Sequence, residues 1–345
     1  MLVKSFNHFR LIWRLTRDKR VNVLLKMFLL IVPTVYLLMP FPFVPIPDDL
    51  IPVVGLLDDF FFLIVTSIIF KALCPRDVVD EHRRQLTGHA SSSVIGNLEA
   101  YRNPSETRDL AIGFLSSVGL TLLGGYLAGV LLMVLFGIGY LRTTMERGKL
   151  LSNAVQVSQN QLPTLYHSLT KAQAHLPPVD VNLFVSQNPM MNAYTFGHSE
   201  PYTIVLTSAL VEKLNSDEIQ AVSGHEFGHI LFGHTAILSL LGTQQGLGRL
   251  LFNKWSRSCE YSADSIAFLA TGKDTDPVAA SLLKITSGLQ IALDVNRFVS
   301  QLDEEEAGLA SISEIFSTHP FLRNRIQHVL QLARREGAPT ASATV

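Results

Sequence analysis

The sequence predicts a mainly helical α+β protein, in which a small sheet packs beside two helices, joined to an N-terminal membrane-associated helical region. Three observations carry this. From Asn215 to Gly233, apolar residues recur at helical spacing around His225 and His229, which stand four apart with Glu226 directly after the first. Short β-branched runs at Val181 to Ser186 and Tyr202 to Thr207 read as strands. The stretch from Leu110 to Leu141 contains no charged residue, and about twenty apolar residues suffice to cross a bilayer. A hydrophobic fraction of 48% over 345 residues, with a positive mean hydropathy, exceeds what a soluble enzyme needs.

The elements follow in chain order. Met1 to Arg20 carries Lys4, Arg10, Arg14, Arg17, Lys19 and Arg20 against the single acid Asp18, with Phe6, Phe9, Leu11, Ile12 and Trp13 as apolar anchors. That pattern predicts an amphipathic segment on a cytoplasmic membrane face, and no small-residue cleavage site follows it. Apolar stretches at Val23 to Met39 and Leu56 to Leu73 are separated by Pro40, Pro42, Pro45 and Pro47, which forbid one continuous helix. Residues 1–88 read as a helical accessory domain and 89–109 as a linker, with a hinge at Thr87 to Ser93. Residues 110–141 are the membrane segment, crossing once or folding back at Gly124-Gly125. Arg142, Arg147 and Lys149 follow it. Basic flanks predict a cytoplasmic catalytic domain. That domain is placed at 150–335, starting with a polar helical stretch to about Ala174, and 336–345 is read as a disordered tail.

Chemistry concentrates in 150–335. On an α-helix, positions i and i+4 share a face, so His225 and His229 can offer ring nitrogens to one metal while Glu226 sits beside its open position. Asn215, with Glu218 three residues on, is an N-cap signal for that helix. Alone, the five-residue pattern also fits a core helix with two satisfied histidines. A catalytic zinc needs a third protein ligand, and Glu260 supplies one on a second helical pattern that ends near Thr271-Gly272. Asp264, one turn on, can accept the N–H of a ligating histidine and fix its tautomer. His319-Pro320 reads as a turn and helix start, with Pro320 at the first helical position and Phe321, Ile326, Val329 and Leu330 as a buried stripe.

His225-Glu226-Phe227-Gly228-His229, then Glu260-Tyr261-Ser262-Ala263-Asp264, then Thr318-His319-Pro320 with Arg325-Ile326 resembles the integral-membrane gluzincins of the HtpX and CAAX prenyl endopeptidase type, metallopeptidase family 48. Asn192-Ala193-Tyr194-Thr195-Phe196-Gly197 and Ile204 to Leu210 resemble two further blocks of that family, although Tyr194 replaces its usual Phe. The resemblance implies one zinc ion per chain on His225, His229 and Glu260, with Glu226 as the general base of amide hydrolysis. It implies that His319 donates to the oxyanion and that Arg325 pairs with a carboxylate such as Asp264. It also implies that Asn192, Ala193 and Tyr194 bind an extended protein or peptide substrate through the main chain. Membrane or misfolded proteins are the substrate class implied. Separately, Asp48-Asp49-Leu50-Ile51-Pro52 and Leu57-Asp58-Asp59 resemble the small YkvA-type helical hairpin; its aspartates read either as a metal or partner site or as turn and cap residues.

Two cysteines, Cys74 and Cys259, give no disulfide framework, and a net charge of −1 gives no support for a nucleic-acid partner. Cys259 reads as a buried thiol, because adjacent helical residues point about 100° apart and Glu260 already faces the metal. His198, His234 and His328 match no ligand spacing. The alternative function is a catalytically weak membrane adaptor or holdase that keeps a structural zinc. A prenyl-peptide endopeptidase would need more membrane segments to enclose its substrate. Oligomeric state is not legible in the sequence.

Overall fold

The computed structural model describes residues 2–38, 74–87, 98–117, 152–197, 200–241, 247–289 and 319–338, with a few isolated positions between them. The chain divides into two compact units, one of residues 1–100 and 115–138, the other of 101–114 and 139–345.

In the first unit, α1 (Leu2–Arg17), α2 (Val23–Leu38) and α3 (Arg76–Thr87) surround a core of Leu11, Ile12, Leu15, Val21, Phe70, Cys74, Val78 and Val79. Leu11 and Ile12 are therefore core residues rather than membrane anchors; Phe9 and Trp13, 53% and 59% exposed, remain on the surface. The turn after α1 is held by Asp18, which accepts from the Arg20 guanidinium at 2.8 Å and faces His82 Nε2 at 2.8 Å. Among the described residues no helix is long and apolar enough to cross a membrane. Residues 118, 120–137 and 139–141 of the apolar stretch, and the Asp48 to Asp59 signature, lie outside the described residues.

The first segment of the second unit, 101–114, holds the start of α4, which is helical from residue 106 and described through 117. The sheet follows, in the order β1 (Val155–Gln156), β2 (Val181–Ser186), β4 (Tyr202–Thr207), β3 (Ala193–Phe196). β2 and β4 are parallel, β1 pairs antiparallel with β2 and β3 antiparallel with β4, and every residue of β4 is buried. β1 interrupts the polar stretch that sequence pattern alone reads as helical to Ala174; the helix there, α5, is Pro163–Ala174. Two residues paired with Val185 and Phe184 of β2 carry no periodicity of their own.

Strand β4 runs into α6 (Ser208–Lys213) and then α7 (Ser216–Leu231). Asn215 caps α7 as its sequence predicts: its side chain accepts from Asp217 N and Glu218 N at 3.0 and 2.9 Å, and Glu218 Oε2 accepts from Asn215 N at 2.9 Å. After α8 (His234–Leu241), the long α9 (Leu247–Ala270) crosses α7, flanked by α10 (Thr275–Ser287) and α11 (Leu322–Arg335). α11 starts two residues beyond Pro320, with Phe321 at the N-cap, and Ile326 and Val329 enter the core with Phe268, Val278 and Leu282.

The crossing of α7 and α9 is very close because both faces are small. A Cβ on Gly228 would lie 2.6 Å from Ala263 Cα, and one on Gly224 would lie 2.4 Å from Ala270 Cβ. Backbone cannot yield as a flexible side chain can, so Gly228→Ala must push the helices apart. Overpacking of this kind costs about 1–3 kcal/mol. Thermal unfolding of Gly228→Ala followed by circular dichroism should show a melting point lower by several degrees; an unchanged value contradicts the packing described.

The expected linker, 89–109, is only partly one. Residues 88–97 lie outside the described residues, but 101–114 belong to the second unit, with Arg102, Glu106 and Asp109 buried. Their polarity is satisfied inside: Ser258 Oγ donates to Asp109 at 2.8 Å and Ser262 Oγ to Glu106 at 2.5 Å.

Candidate active site

The α7–α9 crossing sets the carboxylates of α9 against the histidines of α7. His225 Nε2 and His229 Nε2 are 3.1 Å apart; Glu260 places Oε2 at 3.6 Å from the first and Oε1 at 3.7 Å from the second. Tetrahedral ligands at about 2.0–2.1 Å from a metal lie roughly 3.3 Å from one another, so the three groups fit one ion. Proton placement agrees. His225 Nδ1 is 2.9 Å from Asp264 Oδ1, an acceptor, so the ring carries a hydrogen there, and Nε2 is the nitrogen it would offer to a metal. Bare nitrogens and a carboxylate aimed at one point repel unless a cation lies between them.

Arg325 ties the far side together. Its Nε and Nη2 form a fork on Asp264 at 2.8 and 2.6 Å, and Nη1 lies 3.2 Å from Glu260 Oε2. Burial alone would raise the Asp264 carboxyl, but the guanidinium outweighs it and holds the group at about 2. Burial likewise opposes charge on Glu260, and Arg325 and His319 overcome it and keep that carboxylate ionised. His229 is pushed down by burial and by His225, which favours a neutral imidazole. Glu226, buried beside the histidines, accepts a short hydrogen bond from Thr195 Oγ1, and burial pushes its carboxyl above the usual range. His319 brings Nδ1 to 3.2 Å from Glu260 Oε1 while its side chain stays 64% exposed.

Strand β3 ends the sheet beside these groups. Asn192 to Phe196 line a cleft of about 740 Å³ together with His225, Glu226, His229, Glu260 and Arg325. Because Thr195 faces Glu226, alternation along the strand puts Ala193 on that face and Tyr194 with Phe196 on the other, where their rings meet edge to face at 5.3 Å. Asn192 also secures the strand: its Oδ1 accepts from Ala193 N at 3.0 Å, and its own N–H goes to Thr207 Oγ1 at 2.9 Å. The Ala193 amide is thus partly engaged before any substrate arrives.

Sequence reasoning passed over Thr195 as a side chain, and over Gly224 and Gly228 as the pair that lets the helices touch; the four-residue spacing of those glycines, matching that of the histidines, is a readable signal. It also set aside His234, which is buried with Nδ1 3.0 Å from Nδ1 of His229. His328 pairs with Ser265 Oγ at 2.9 Å, and His198 lies outside the described residues. Glu106, His234 and Cys259 form a second group with ligand-type atoms close together. It suits a cation poorly: Arg102 Nη2 sits 2.6 Å from Glu106, and burial with the nearby Glu106 charge pushes the Cys259 thiol well up.

A site that gathers two imidazoles and a carboxylate, with a further buried glutamate beside them under an edge strand, is that of a metallopeptidase. Comparison with known proteins agrees. The family model described as "Peptidase family M48" matches residues 157–245 and 235–333. The chain is 34% identical over 188 residues to the plastoglobule-localized metallopeptidase 48 of Arabidopsis thaliana, covering 48% of this chain and 54% of the relative. It is 30% identical over 232 residues to a protease HtpX homolog of Helicobacter pylori strain Shi470, covering 55% of this chain and 70% of the relative. A Bifidobacterium longum HtpX homolog is 24% identical over 239 residues, 78% of its length. The chain belongs to peptidase family M48 and is, by class, a metalloprotease.

Proposed function

We propose that the protein is a membrane-bound zinc endopeptidase that hydrolyses peptide bonds of membrane or misfolded proteins. The observation that carries this is the convergence of His225, His229 and Glu260 on one point with Glu226 buried alongside. These three residues would hold one zinc ion. The metal, when bound, supplies Lewis acidity, polarising the scissile carbonyl and acidifying water. Glu226 takes a proton onto its carboxylate and returns it to the leaving amine, with the Thr195 hydroxyl fixing Oε2. Asp264 orients His225, and Arg325 holds Asp264 and Glu260 in place. His319 reaches over Glu260 from the open side of the cleft, where an oxyanion donor is needed. An extended substrate pairs with β3 from Asn192 through Tyr194, the free end of the sheet among the described strands.

Attachment to a bilayer rests on the uncharged stretch 110–141 and on α1, whose exposed Phe9 and Trp13 stand among Arg10, Arg14 and Arg17. The basic residues that flank both support a catalytic unit on the cytoplasmic side. The test is cleavage of an unfolded casein by the full chain in detergent. Activity should fall below detection after chelation and return with zinc. Bound zinc without any cleavage supports the adaptor reading instead.

A further inference from the structure

His225 and His229 are oriented by different means. His225 meets a carboxylate directly, at Asp264. His229 meets another histidine: its Nδ1 lies 3.0 Å from Nδ1 of His234, and His234 Nε2 lies 3.1 Å from Glu106 Oε1. Both His234 and Glu106 are sealed from solvent, at 1% and 0% exposure. Phe232 stacks on the His234 ring at 5.8 Å and Trp255 meets it edge-on at 6.1 Å, so the ring plane is fixed.

The protons along this chain can be placed from one end to the other. Glu106 accepts from Arg102 Nε at 2.8 Å and from Ser262 Oγ at 2.5 Å, which is the environment of an ionised carboxylate. A bare nitrogen 3.1 Å from that charge would be repelled, so His234 carries its hydrogen on Nε2. In the neutral ring Nδ1 is then an acceptor, and the hydrogen between the two rings belongs to His229 Nδ1. His229 consequently presents a bare Nε2 to the point shared with His225 and Glu260.

We propose that Glu106, acting through His234, is a positioning residue for the metal ligand His229, holding it in the tautomer that binds metal. The proposal rests on the zinc site described above. Glu106 stands at the start of α4, whose sequence continues into the uncharged stretch 110–141, and it precedes the residues that the family model matches. The metal site therefore depends on a helix that precedes the residues matched by the family model.

The test measures zinc affinity of the full chain in detergent by competition with a fluorescent chelator. Loss of an outer partner of a ligating histidine typically weakens metal binding by about 10–100-fold, and His234→Leu should do so. In His234→Asn, Oδ1 occupies the place of Nδ1 and can still accept from His229, so most of the affinity should return. Glu106→Gln should weaken zinc binding in the wild-type background and have no further effect in His234→Asn, where the connection is already cut. Equal affinities for His234→Leu and His234→Asn, or the same Glu106→Gln effect in both backgrounds, would show a merely structural role and overturn the relay. A wild-type chain that binds no zinc overturns the site reading and the relay together. Should the variants fold poorly, nitrogen NMR of zinc-loaded wild-type protein with labelled histidines decides: protonation of His234 at Nε2 supports the relay, and protonation at Nδ1 overturns it.

Discussion

Glu226→Gln should retain a full complement of zinc and lose proteolysis. The amide has the shape of the carboxylate and keeps an oxygen to accept from Thr195, so the cleft and the three ligands need not move. What disappears is the group that takes a proton. General-base catalysis contributes typically about 10²–10⁴-fold, and the loss should be at least of that order. The burial of Glu226 makes the comparison clean, since bulk water cannot easily substitute for it. Cleavage of unfolded casein, with zinc measured on the same preparation, checks both halves. A variant that cleaves at the wild-type rate would remove Glu226 from the mechanism.

The second large effect is on stability. Arg325→Met keeps the aliphatic stem but leaves Asp264 and Glu260, 1% and 6% exposed, without the cation that faces both. Breaking a buried pair from one side costs about 3–5 kcal/mol, because a charge stays behind unpartnered. The pH dependence has a definite sign. Asp264 titrates at about 2 in the folded protein, and at about 3.9 in an unfolded chain. The unfolded state therefore binds the proton first as pH falls. The stabilisation is complete above about pH 4 and is lost as pH drops through 2. Urea unfolding should show the full deficit of Arg325→Met at pH 7 and a smaller one at pH 3. Adding Asp264→Asn should recover part of it at pH 7, since the neutral side chain needs no cation. A variant as stable as wild type at pH 7 would mean that the fork on Asp264 contributes nothing.

Local features of the fold were legible wherever a short stretch of sequence determines them. The Asn215 to Glu218 box starts α7 because both partners sit within one turn. His225 with His229, and Glu260 with Asp264, occupy single helix faces because four residues make about one turn. β2 and β4 showed as β-branched runs for the same reason, whereas the two residues of β1 exist only through their pairing with β2. The polar interior was illegible. Arg102, Glu106 and Asp109 look like charges of a linker, and the partners that bury them, His234, Ser258 and Ser262, lie more than a hundred residues away. Leu11 and Ile12 failed as membrane anchors on similar grounds: an amphipathic helix shows an apolar face, but what covers that face is decided by α3 and the residues before it.

X-ray absorption at the zinc edge of the purified full chain is the most direct test. The account requires one zinc per chain, bound by two imidazole nitrogens at about 2.0–2.1 Å and carboxylate or water oxygens, with no sulfur. A shell at about 2.3 Å would mean that a cysteine binds the metal, and would move the ion toward Cys259, His234 and Glu106. That result, or no zinc at all, would contradict the site formed by His225, His229 and Glu260.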